Sequence, residues 1–394
     1  MKTQKMILKQ GIVARDVNGS YPYFGWPSVC KDENGTLYAV ASRGVAHICP
    51  FGHDVLYTSH DNGETWSEPN VISDDPFDNR DAGILSLGNG RMLLTYFNHD
   101  INRFLPGGKY KFWLNYPTVQ HWCTEEQKTK ALDAMNAVPE DKRYGGSYVR
   151  LSEDYGKTWG EAIHIPLSCP HGPTVMNDGR LLYVGTPFEL EEYRKTTEDM
   201  TEYDSPICAI VSSDGGKTWT KHCELPMPKE WSRYPGGSCF FCEAHVIERK
   251  NGHLIAVIRR GDNKDPSLAS IFLYVTYSQN GGKTWTIPVR IKSCDGKEIV
   301  GAPGHLCEMQ DGGIVLSYSH WVAPCGSRAV ISHDGGYTWG EEILLSAQLD
   351  LENDDTGYPA TVQLDTGELF TVYYQRYLLD ERPSLLYTKW DPNR

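Results

Sequence analysis

The sequence contains no apolar run near the eighteen or so residues that a membrane-spanning helix needs. Its opening stretch, MKTQKMILKQGIVARD, lacks the continuous apolar centre of a secretory signal. These absences predict a soluble, cytoplasmic protein with no membrane partner. Basic charge is also scarce: 38 Lys and Arg against 51 Asp and Glu leave a formal net charge of −13 at pH 7. That balance argues against a nucleic-acid partner, whose phosphates call for a basic face. It still allows a small anionic ligand held by a few local arginines. Paired cysteine spacing is missing as well. Eleven cysteines at irregular intervals predict reduced thiols rather than a disulfide framework. Cys239 and Cys242 have the spacing of half a zinc or redox site, but no second such pair accompanies them. They read as buried strand thiols, and no metal or cofactor is called for.

Turn residues are abundant. With 38 Gly and 23 Pro beside 40% hydrophobic residues, the composition is that of a turn-rich globular chain. Length alone would allow two or three domains, so internal repeats decide the organisation. One eight-residue pattern occurs five times: SHDNGETW at 59–66, SEDYGKTW at 152–159, SSDGGKTW at 212–219, SQNGGKTW at 278–285 and SHDGGYTW at 332–339. Asp or Asn can bond backbone two residues on, Gly supplies a positive φ, and Trp is expected to pack the turn onto its own sheet. A second repeat runs out of phase with the first. It is a short apolar stretch, a turn ending in Gly, then a β-branched and aromatic run, with the six glycines at Gly35, Gly90, Gly179, Gly252, Gly312 and Gly367. Each unit reads as the inner hairpin of a four-stranded blade.

The expectation is therefore an all-β fold, a six-bladed β-propeller of four-stranded antiparallel blades. It forms a single domain over residues 1–394, with MILKQGIVA completing the last blade. Insertions are expected near 100–145, where composition predicts a short helix, and near 187–205. The eight-residue repeats are Asp-boxes, and on them the chain resembles the sialidase superfamily from end to end.

Residues nine before each hairpin glycine should ring one mouth of the central channel. They are Trp26, Asp81, Pro170, Glu243, Pro303 and Tyr358, and one or two residues of slippage adds Arg80, His171, His245 and His305. The sialidase resemblance implies that Glu243 draws the proton from Tyr358, so that the phenol can attack an anomeric carbon. A phenol with a pKa near 10 needs such a base at neutral pH. It further implies arginines for a substrate carboxylate, whose planar forks match that group. Arg259 and Arg328 fall in the expected places, with Arg260 beside the first, and Arg43 matches another arginine common there. Two family features are absent. Gly25-Trp26-Pro27 stands where the family has Arg-Ile-Pro, and no clear acid/base aspartate follows the first hairpin, where His47, His53 and Asp54 are the candidates. Arg80 and Asp81 are expected to take over anion binding and acid/base work respectively.

The reading that follows is an exo-acting glycoside hydrolase releasing a terminal acidic sugar, sialic acid or a related keto-acid sugar, from glycans. Two alternatives stay open: a same-fold glycosidase for a uronic acid or deoxy sugar using Asp81 and Glu243, and a non-catalytic carbohydrate-binding propeller. Self-association into a homo-oligomer is left open.

Overall fold

The computed structural model describes residues 5–47, 49–50, 52–73, 75–108, 111–115, 117–187, 205–347 and 355–394. Six antiparallel sheets follow one another along the chain, and the last is completed by the first strand. Blade 1 runs through Tyr23–Lys31, Leu37–Gly44, His53–Ser59 and Asn70–Val71, innermost strand first. Blades 2, 4 and 5 repeat this order, opening on Asn79–Gly88, Cys239–Glu248 and Gly304–Glu308. In blade 6, Ile7–Ala14 pairs with Pro383–Trp390 outside Leu369–Arg376 and Gly357–Gln363, which closes the ring as the sequence predicts.

Blade 3 departs from the pattern. Its innermost strand is broken into Leu167–Ser168 and Thr174–Val175, both paired with Leu181–Pro187. The break spans Pro170 and Pro173, which have no N–H to give the ladder.

The core lies between blades rather than at the axis. Fully buried side chains from blade 6 (Phe370, Val372) and blade 1 (Leu37, Ala39) share one cluster, and blades 4 and 5 share another around Val257 and Leu316. The Asp-boxes belong to these seams. In the first, Ser59 Oγ accepts from Gly63 N–H at 2.9 Å, while Asp61 accepts from the Thr65 N–H at 2.9 Å and hydroxyl at 2.6 Å. Gly63 has φ +82° and sits against Phe370 of blade 6 with no room for a Cβ. Gly156 likewise meets Leu56 of blade 1, Gly216 meets Leu93 of blade 2, and Gly336 meets Ile255 of blade 4. Each box thus docks on the preceding blade. This contact adds to the expected packing of the turn on its own sheet.

The insertion after blade 2's second strand carries the expected helix, Glu125–Ala137, whose Thr124 and Gln127 form a reciprocal capping box. Ala131 and Met135 of this helix bury against Val45, Ala46 and Cys49 of the blade 1 loop. Residues 188–204, most of the second expected insertion, lie outside the described residues. No described helix is long and apolar enough to cross a membrane. All eleven cysteines are free thiols.

Candidate active site

Four innermost strands carry the same irregularity at the same level. Register jumps by one extra residue between Gly25 and Ser28, Arg80 and Gly83, Cys242 and His245, and Gly357 and Ala360. The residue left out of register is Trp26, Asp81, Glu243 or Tyr358, with φ of +48°, +56°, +47° and +47°. His171, in the broken strand of blade 3, adopts φ +71°. Left-handed backbone is unfavourable for all these side chains and costs on the order of 1–3 kcal/mol each. A bulge re-aims the side chain it displaces. Repetition of this strained turn at one level therefore marks a constructed site.

Tyr358 and Glu243 meet there: the phenol donates to Glu243 Oε1 at 3.0 Å. Arg259 Nη1 donates to the same oxygen at 2.7 Å and stacks over Trp321 at 5.1 Å. Glu243 Oε2 is buried with no partner among the described residues. Burial pushes the Tyr358 phenol well above its ordinary range, and the Glu243 and Asp81 carboxylates add to this while Arg259 opposes it. An unaided phenolate is thus disfavoured, and the bound carboxylate is the group placed to take its proton.

Asp81 stands in the same electrostatic environment. Burial raises its carboxyl to about 8, with Arg80 opposing and Glu243 adding to the rise. That rise favours the protonated acid at neutral pH. Arg80 lies over the Trp26 ring at 3.9 Å, donates to the His47 carbonyl at 2.9 Å and has Asp78 at 3.8 Å. Trp26 thus provides the platform for an arginine from the next blade.

Several site residues were not legible in the sequence. Asp355 accepts from Tyr23 Oη at 2.9 Å and sits 3.0 Å from His47 Nδ1. Burial works against its ionisation, but bonds from His47, Tyr23 and Tyr374 hold its carboxyl below the usual range. Tyr23, Trp26, Tyr358 and Tyr374 pack together with Trp321 beside them, an aromatic wall around the pair. Trp26 and Tyr358 follow from the hairpin offset, whereas Asp355, Tyr23, Tyr374 and Trp321 come from outside that repeat or from strand ends, so no offset rule points to them.

His171 is the only one of the three channel histidines within ring contact of Tyr358, at 6.5 Å between centroids. His245 and His305 stack on each other at 4.3 Å, and His171 crosses both edge-on. The remaining sequence candidates have other partners. Arg328 pairs with Glu342 at 2.7 Å on the outer half of blade 5. Arg43 binds the Tyr21 carbonyl and Asp16. Arg260 is held by Asp262, the Ser270 carbonyl and Cys239, which leaves Arg259 as the arginine on Glu243. His53 packs on Tyr21. Asp54 is fully buried between the Ser42 and Ser73 hydroxyls, where burial lifts its carboxyl to about 7. Among the described residues no group of His, Cys, Asp and Glu is arranged to hold a metal ion.

The fold is that of a sialidase-like six-bladed β-propeller built on Asp-box repeats. The chain belongs to the BNR repeat-like domain family, whose model matches residues 113–371, and a BNR/Asp-box repeat model matches residues 57–68. Among solved structures it is similar to a protein of unknown function from Dyadobacter fermentans, at 22% identity over 98% of each chain with a TM-score of 0.71. It is similar also to an intramolecular trans-sialidase from Ruminococcus gnavus, at 14% identity over 97% of each chain with a TM-score of 0.60. An α-L-arabinanase from Penicillium chrysogenum matches at 17% identity over 98% of each chain, again with a TM-score of 0.60. At these identities the likeness is one of fold.

Proposed function

We propose that the protein is an exo-acting, retaining glycoside hydrolase that releases a terminal acidic sugar, sialic acid or a related keto-acid sugar, from glycans. The observation that carries this is the Tyr358 phenol 3.0 Å from a Glu243 oxygen that Arg259 also holds at 2.7 Å. Tyr358 passes its proton to Glu243 and its oxygen attacks the anomeric carbon. The bond to the leaving oxygen breaks as Asp81 protonates that oxygen. Water then attacks the same carbon and gives a proton to Asp81, while Tyr358 leaves and recovers its proton from Glu243. Two displacements retain the anomeric configuration. A neutral phenol suits an anionic sugar, because a carboxylate nucleophile would meet like charge. Arg80, with Arg259, supplies the positive side of the pocket.

A second reading has an observation of its own. Trp26 stands in place of an arginine, and Arg259 is already engaged by Glu243. A deoxy sugar, or a uronic acid held by Arg80 alone, cleaved by the Asp81 and Glu243 carboxyls fits that arrangement. Turnover of an aryl sialoside beside aryl uronides and rhamnosides, with Tyr358→Phe as control, separates the two. Loss of sialoside turnover in that variant supports the first reading. Rhamnoside turnover that survives it supports the second, and no turnover of any substrate favours a binding protein.

A further inference from the structure

At the end of the innermost strands opposite Tyr358, a cavity of about 420 Å³ opens into the channel. Its lining includes His171, His245 and His305 together with the innermost-strand residues Val29, Ile84 and Leu306, whose side chains belong to the buried clusters between blades. That volume is within the range of small-molecule sites. None of the groups assigned above to bond cleavage lines it.

The protonation of two of the rings is fixed by backbone. His245 Nδ1 accepts the Leu306 N–H at 3.0 Å, and His305 Nδ1 accepts the Thr361 N–H at 3.3 Å. A nitrogen that accepts carries no proton, so each neutral ring carries its proton on Nε2. Burial keeps both rings neutral. No described residue accepts from either Nε2–H. His171 is 4% exposed, and neither of its ring nitrogens has a partner among the described residues. A metal ion would require bare Nε2 lone pairs, which these tautomers do not offer. The two Nε2–H donors are not among the fully buried unpartnered atoms, so they face the cavity, where an acceptor can reach them. At the rim, Lys250 Nζ bonds the Gln310 carbonyl, while Glu308 is taken up by the Lys250 N–H and by Arg249. The rim therefore presents a cation that pairs with no carboxylate among the described residues.

We propose that this cavity is a second ligand site, separate from the Tyr358 site, for a small monocarboxylate. The carboxylate oxygens accept from His245 and His305 Nε2–H, the rest of the molecule occupies the channel mouth, and Lys250 attracts the anion at the entrance. The inference stands apart from the glycosidase reading, because it uses neither Tyr358 nor Glu243.

The test is a titration of the full chain, labelled with ¹⁵N at histidine, with sodium butyrate, following the ring nitrogens by NMR. The expected result is a saturable shift of the His245 and His305 signals that butan-1-ol does not reproduce and that Tyr358→Phe retains. His245→Asn and His305→Asn keep an acceptor near Nδ1 but remove the Nε2–H, and each should weaken butyrate at least tenfold with the thermal melt intact. No saturable shift at millimolar butyrate overturns the proposal. So does equal binding of butanol, or binding that disappears with Tyr358→Phe.

Discussion

Replacing Asp81 with Asn tests the catalytic reading most sharply, because the structure gives the acid a number. With its carboxyl at about 8, roughly nine-tenths of the population holds the proton at pH 7, against less than about one-thousandth for an ordinary aspartate. Burial and the Glu243 charge therefore raise the supply of acid about a thousandfold. A positioned general acid contributes about 10²–10⁴ in rate. Asp81→Asn should lower kcat on an alkyl glycoside by that factor and leave an aryl glycoside with a good leaving group nearly unchanged. In the wild type, alkyl glycoside turnover should fall about tenfold per pH unit above 8, as the proton is lost. That limb should be absent from the variant. Steady-state kinetics on both substrates between pH 5 and 10 measures each arm. Alkyl turnover within threefold of wild type, or an unchanged alkaline limb in the variant, refutes the assignment.

The other predictions concern the pair, the anion and stability. Tyr358→Phe should cut turnover at least about a thousandfold, since it removes the nucleophile, and the first wild-type product should show retained configuration by proton NMR. Arg80→Met should raise KM for an acidic sugar at least about tenfold and leave KM for a neutral aryl rhamnoside unmoved. It should also shift the alkaline limb upward, because the cation that lowers the Asp81 carboxyl is gone. Asp54, raised to about 7 in the fold, is protonated in the native state at pH values where the unfolded chain has already ionised. Its cost is absent below about pH 4 and complete above about 7. Asp54→Asn should therefore stabilise at pH 8 by up to about 4 kcal/mol and hardly at all at pH 4, as urea unfolding would show. The box carboxylates Asp61, Asp154, Asp214 and Asp334 are held at about 2 by their Thr bonds. Their contribution is present above about pH 4 and lost as pH falls towards 2, where thermal melts should drop together.

How far the sequence could be read followed from which interactions are local. An Asp-box is closed within eight residues, Ser59 and Asp61 bonding Gly63 and Thr65, so its sequence is its structure. The hairpin glycines are local in the same way, and counting them brought Asp81, Glu243 and Tyr358 to one level. His171 was found only by allowing slippage, because Pro170 and Pro173 break the strand that should have carried it.

What the sequence could not contain was the pairing of distant residues. Asp355 meets His47, Arg80 lies on Trp26, and Arg328 turns to Glu342 instead of the channel. Each of these is decided by how twisted blades set side chains around an axis. The chain alone determined six repeats, closed by its own first strand, and a ring of chemically capable residues. The tertiary structure decided which of them touch. Turns are set by backbone torsions a few residues long, whereas a site at the axis exists only once all the blades have closed around it.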